Sequence, residues 1–109
     1  MSRFAETLAR LAATIEARKG ADAASSYTAK LLAGGAPLAA KKFGEEAVET
    51  VIAAIAAEPD AIAAESADMI YHWLVLLAAT GVSLDEVAAR LEAREGRSGI
   101  EEKASRAKG

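Results

Sequence analysis

The residues of this chain best suited to chemistry are acids in two short groups. Glu45-Glu46-Ala47-Val48-Glu49 is followed by Glu65-Ser66-Ala67-Asp68, and no Lys or Arg falls between Glu45 and Asp68. On a helix, residues three or four apart share a face. Glu46 and Glu49 then project together, with Glu45 flanking Glu49 one turn earlier, while Glu65 and Asp68 form a matching pair. Val48, Val51 and Ile52 interleave with the first group, and Met69 and Ile70 follow the second. Part of each acidic face must therefore border the core. If the two helices pack antiparallel, as the short connection around Pro59 requires, the acidic pairs face each other. At about 5 Å and an effective dielectric of about 20, each pair of like charges costs on the order of 3 kcal/mol. A divalent cation removes that cost, and inward-facing acids on neighbouring helices build such sites. The alternative is a solvated acidic face, because Glu favours helices and usually meets water. An ordinary stable surface mixes signs, which this stretch does not.

The rest of the composition narrows the chemistry further. With no cysteine, thiolate zinc sites, disulfides and cysteine nucleophiles are excluded, and the single histidine, His72, cannot make a multi-histidine centre within one chain. Any metal site is oxygen-rich and suits Mg²⁺, with Mn²⁺ as a substitute. A net charge of −3 supplies no general attraction to nucleic acid. The apolar run from Met69 to Ala79 is interrupted by His72 and is too short to span a bilayer. Arg3, Glu6 and Arg10 argue against a signal peptide, so a cytoplasmic protein is expected.

The elements that must position the acids all read as helix. Gly20, Gly34-Gly35, Pro37, Pro59, Gly81, Gly96 and Gly99 punctuate the chain, and no stretch alternates as a strand would. Helices are predicted at about 2–19, 26–33, 37–57, 60–80 and 83–95. The first carries Phe4, Leu8, Leu11 and Ile15 on one stripe; Pro37 suits the first turn of the third. Gly81 suits a helix end, and Ser83 with Glu86 forms a capping box that starts the fifth helix. The expected fold is all-α, a small helical bundle forming one domain over residues 1–109, with a flexible basic tail from about residue 96. Alanine supplies 29 of the 109 residues and aromatics only 5%. Such helices form readily but bury a thin core, and association between copies compensates, so a homodimer is expected.

Glu-Glu-x-x-Glu on one helix followed by Glu-x-x-Asp on the next resembles the signature of the all-α nucleoside triphosphate pyrophosphohydrolases, the MazG-like superfamily. Within it the chain looks like the phosphoribosyl-ATP pyrophosphohydrolases of histidine biosynthesis. The closer likeness lies in Ser26-Tyr27-Thr28-Ala29-Lys30-Leu31, Lys41-Lys42-Phe43-Gly44-Glu45-Glu46, Asp68-Met69-Ile70-Tyr71-His72 and Arg97-Ser98-Gly99-Ile100-Glu101-Glu102-Lys103. It covers nearly the whole chain. The resemblance implies hydrolysis of the α–β phosphoanhydride of phosphoribosyl-ATP to phosphoribosyl-AMP and pyrophosphate, the second step of histidine biosynthesis. By the same analogy Glu46, Glu49, Glu65 and Asp68 are Mg²⁺ ligands, and they match the motif position by position. Magnesium held by carboxylates bridges phosphate oxygens and orients the attacking water, which agrees with the acidic site. Glu45, outside that set, is a candidate proton acceptor or a holder of a second ion.

Basic residues surround this scheme. Lys41 and Lys42 lie one turn before the glutamates; one of them meets the substrate's phosphates, or both are ion-paired along the helix, although Lys before Glu is the less favourable order. Lys30 sits on the short helix that the family pattern associates with substrate. Arg97 and Lys103, with Arg94 and Arg106, give the tail a basic character, and Gly96 and Gly99 let it fold over an anion; a solvated terminus is the alternative. His72 falls one turn after Asp68, either orienting that carboxylate or serving as a satisfied core histidine between Tyr71 and Trp73. Two other functions compete: a house-cleaning pyrophosphohydrolase of deoxynucleoside triphosphates from the same superfamily, and a non-catalytic helical dimerisation module.

Overall fold

Ser2 accepts a hydrogen bond from the Ala5 amide and opens α1 (Arg3–Ala17); Ser26 does the same for Ala29 and opens α2 (Tyr27–Ala33). Both serines are caps outside the helix, where their side chains satisfy amides that have no partner in the first turn. A single residue, Gly34, separates α2 from α3 (Gly35–Ile55), which is followed by α4 (Pro59–Thr80) and α5 (Leu84–Glu92). This computed structural model describes residues 2–96, which hold these five helices and no strand. The all-α bundle is as expected. The basic-tail residues Arg97, Lys103 and Arg106 lie outside the described residues.

The boundaries differ from expectation by one to three residues, for local reasons. α3 starts at Gly35 rather than Pro37 because Gly34 and Gly35 make the turn themselves. A Cβ on Gly34 would lie 2.8 Å from the Leu38 Cβ, and Gly35 adopts φ +72°, so neither position accommodates a side chain without strain. Pro59 belongs to α4 as its first residue, where a missing N–H costs nothing. Gly81, in the left-handed conformation at φ 76°, ends α4 with its N–H donating to the Leu77 carbonyl. Ser83 accepts from the Glu86 amide while the Glu86 carboxylate accepts from the Ser83 amide at 2.7 Å, completing the capping box. α5 stops at Glu92, three residues before the expected end, and a turn follows over 93–96.

α3 and α4 form an antiparallel hairpin joined by only Ala56, Ala57 and Glu58, and this pairing is the main packing interaction of the chain. Leu31, Ala39, Leu74 and Val75, together with Ile15 of α1, are the buried core. The α1 stripe packs on the core through Leu8, Leu11 and the buried Ile15, and only Phe4 at its N-terminal end is exposed. By length and composition α4 is also apolar enough to cross a membrane. It is instead the central helix of this bundle, carrying Glu65 and Asp68 and covered along one side by α3.

The α3 stripe is the larger correction. Val48, Val51, Ile52 and Ile55 do not enter the core; each is more than half exposed. The buried residues of α3 are Ala39 and Ala53. These are fourteen residues apart, with Glu46 midway, so all three fall on the seam facing α4. Periodicity identifies an apolar face of α3 but not which side of the helix meets α4.

Candidate metal centre

Small alanines on the α3 seam let α4 approach closely and leave room between them for the acids. One carboxylate oxygen from each of Glu46, Glu65 and Asp68 lies within 4.8 Å of the other two. Glu46 and Glu65 are half-buried and Asp68 is exposed, so the group sits at the edge of the seam, where a ligand arriving from solvent can reach it. Glu65 is the most compressed of the three. Its partial burial, then the negative charges of Glu46, Asp68 and Glu49 in that order, raise its pKa above the ordinary value.

The other acids are placed differently. Glu49 is exposed and stands outside the three-carboxylate group, though near enough for its charge to act on Glu65. Glu45, one residue before Glu46, is rotated about 100° away around the helix. It is exposed and paired with Lys42 at 3.4 Å, a solvent-screened i,i+3 ion pair of small energetic value. The structure therefore does not bring Glu45 into the cluster. Lys41 and Lys30 are exposed and form no ion pair among the described residues.

The donor set suits a hard cation. All three groups are carboxylates, and none is ion-paired to a lysine or arginine among the described residues. Oxygen ligands of Mg²⁺ at about 2.1 Å lie roughly 3 Å apart when adjacent and about 4 Å when opposed. The present separations, within 4.8 Å, lie near enough to that range for side-chain rotation to close them on an ion. A cleft of about 400 Å³ lies elsewhere, between α1 and the α4–α5 turn. Alanines and leucines make up half of its lining, and none of the three acids reaches it.

His72 is resolved in favour of the core reading. It is buried at 6% exposure, with its Nδ1 2.7 Å from the backbone carbonyl of Asp68, not from the carboxylate. A carbonyl only accepts, so Nδ1 carries the proton and Nε2 is left to accept from the Tyr27 hydroxyl at 3.3 Å. One residue along on both helices, Thr28 and Tyr71 exchange a second hydroxyl hydrogen bond. This α2–α4 contact was not foreseen. Its residues occur in the segments that carry the family resemblance, but no spacing rule connects positions 45 residues apart. Trp73 is half-buried against the core, as expected.

Known proteins resemble this chain along nearly its whole length. A family model described as phosphoribosyl-ATP pyrophosphohydrolase matches residues 8–95. A phosphoribosyl-ATP pyrophosphatase of Caulobacter vibrioides is 72% identical over 105 residues, covering 96% of this chain and 97% of the relative. Those of Parvibaculum lavamentivorans and Cereibacter sphaeroides are 59% identical over 106 residues and 63% over 99 residues. They cover 97% and 91% of this chain, and 97% and 96% of the relatives. The matched region contains the hairpin and every acid of the cluster, and the chain belongs to the phosphoribosyl-ATP pyrophosphohydrolase family.

Proposed function

We propose that this chain is the pyrophosphohydrolase that converts phosphoribosyl-ATP to phosphoribosyl-AMP and pyrophosphate in histidine biosynthesis, with Mg²⁺ held by Glu46, Glu65 and Asp68. The observation that carries the metal assignment is the convergence of three carboxylates, none of them ion-paired among the described residues, on the α3–α4 seam. Family membership supplies the substrate. Bound magnesium would supply positive charge for the phosphate oxygens and orientation for the attacking water. Glu49, next to the cluster on the same helix, serves as a fourth carboxylate that a modest rotamer change brings in. Glu45 is the weaker candidate for the proton acceptor, because Lys42 already neutralises it. Lys30 and Lys41, both exposed cations without an acidic partner among the described residues, are available to the substrate's phosphates. Arg97 and Lys103 are proposed to add to the same anion-binding set.

A second copy of the chain completes this reading. Val48, Val51, Ile52 and Ile55 expose 57, 56, 55 and 81% of their surface along one helix. Such a contiguous apolar stripe on a soluble enzyme is unusual without a partner. A two-fold pairing buries the stripe on both copies at once and demands no other protein. The stripe shares α3 with Glu46, so the pairing also holds the acidic seam rigid. We assign the enzyme to the cytoplasm, acting on a free nucleotide without nucleic acid or membrane.

The test is pyrophosphate release from phosphoribosyl-ATP, with and without Mg²⁺, beside a panel of deoxynucleoside triphosphates. Turnover of phosphoribosyl-ATP is expected to vanish with a chelator, return with Mg²⁺, and fall at least about 100-fold in Asp68→Ala. Preference for deoxynucleoside triphosphates would move the chain to the house-cleaning branch. Turnover indifferent to the chelator and to Asp68→Ala would overturn the metal centre.

A further inference from the structure

α2 is only seven residues long, too short to persist as a helix without tertiary support, and it buries just Ala29 and Leu31. Ser26 caps its first turn, and tertiary contacts from Tyr27 and Thr28 in that turn tie it to α4. Among the described residues the polar links from α2 to α4 are two consecutive rungs: Tyr27 to His72 and Thr28 to Tyr71. The rings reinforce them. Tyr27 stacks near Tyr71 at 6.4 Å between centroids and 21° between planes, and Tyr71 meets His72 edge-on at 4.9 Å.

The chain of hydrogen bonds has a direction. The Tyr27 hydroxyl donates to His72 Nε2, and His72 Nδ1–H donates to the Asp68 carbonyl. One end is the start of the helix that bears Lys30. The other end is the peptide of Asp68, whose side chain belongs to the acidic cluster. His72 is buried, and these two bonds use both of its ring nitrogens, so the imidazole cannot rotate without leaving a polar atom unpaired.

We propose that Tyr27 and His72 form a clasp that sets α2, and with it Lys30, in register with the Asp68 turn of α4, making both of them positioning residues for substrate binding. Neither touches a reacting atom. Their effect passes through the placement of α2, and the proposal rests on the reading of the chain as a phosphoribosyl-ATP hydrolase with Lys30 facing the substrate. Tyr27 is half-exposed, so the ring itself is not needed to fill the core; the hydroxyl is what the clasp uses.

Tyr27→Phe removes that hydroxyl and keeps the ring. In the full-length protein with Mg²⁺, it is expected to raise KM for phosphoribosyl-ATP by about 3- to 10-fold, with kcat within about twofold and the Mg²⁺ half-saturation unchanged. In a His72→Asn background, which retains a donor toward Asp68 but cannot reach Tyr27, the same change should add nothing further to KM. Hydrogen exchange supplies a reading independent of turnover: α2 amides from Lys30 to Ala33 should exchange at least about 5-fold faster in Tyr27→Phe, while those of α4 stay protected. If His72→Asn fails to fold, the single Tyr27→Phe variant decides the matter. An unchanged KM, or a fall in kcat with KM unchanged, would overturn the clasp. If the unaltered chain does not turn over phosphoribosyl-ATP, the functional reading fails instead. The exchange arm then stands alone: faster α2 exchange upholds the clasp and unchanged exchange removes it.

Discussion

Ile52 and Ala53 are neighbours in sequence and opposites in the fold. Ile52 is 55% exposed, while Ala53 is 7% exposed against α4. The same inversion runs along α3 from Glu46 onward: Glu46 and Ala53 face inward while valine and isoleucine face outward, and only nearer the N-terminus does a large apolar residue, Leu38, pack on the core. Burial in this helix is thus allocated by purpose rather than by side-chain hydrophobicity. In the proposed reading, the thin inner face lets α4 come close enough for acids on both helices to share an ion. The outer face presents large apolar groups to solvent, where the proposed second copy would cover them.

The outer face gives the largest expected effect. In a two-fold dimer Ile52 is buried twice, and fully burying such a side chain is worth about 1.5–3 kcal/mol each time. Ile52→Lys should therefore weaken self-association by at least about 100-fold, read by sedimentation equilibrium, with helical content retained. If Ile52→Lys sediments like the parent, the stripe is not the contact. On the inner face, Ala53→Leu should cost about 1–3 kcal/mol of stability by overpacking the seam, and it should also weaken Mg²⁺ binding by forcing the helices apart. Equal tolerance of bulk at Ala53 and at an outward position such as Ala54 would erase the distinction between the faces.

α5 offers the smallest and most local contrast, because it has no buried residue and is held chiefly by its cap. Ser83→Ala should cost about 1 kcal/mol in the stability of this segment. The Ser83 backbone amide, and then its hydroxyl, hold the Glu86 carboxyl below its ordinary pKa. A depressed carboxyl contributes stability that is present above the unfolded-state pKa and lost as pH falls through the folded-state value. α5 should accordingly fray on acidification below the usual carboxylate range, followed by amide exchange, and Glu86→Gln should remove that pH dependence. Exchange in α5 that ignores both pH and Glu86→Gln would show packing, not the cap, to be in control.

These contrasts explain what the sequence could and could not reveal. Caps and breakers act within a few residues, so Ser83, Glu86 and Gly81 were legible directly, and the helices followed from them. The spacing of Glu46, Glu65 and Asp68 was legible too, because residues three apart share a face and a short turn forces the two helices antiparallel. Which side of α3 meets α4 was not, since Val48, Val51 and Ile52 form as good a stripe as any core helix and a stripe does not name its partner. The same rotation decides that Glu45 pairs with Lys42 rather than joining the cluster. The Tyr27–His72 contact depends on where α2 lands on α4, which no local signal specifies.

The three-residue joint between α3 and α4 has one further consequence, for the order in which the molecule is made. Closing so short a connection costs little chain entropy, and every acid of the cluster lies between residues 46 and 68. Contacts this local are the first a folding chain can afford. The acidic centre is therefore assembled with the hairpin itself, before α1 and α5 need to find their places, and like-charge repulsion there opposes the earliest step of folding. A divalent ion that relieves this repulsion would speed the acquisition of structure as well as serve the finished enzyme.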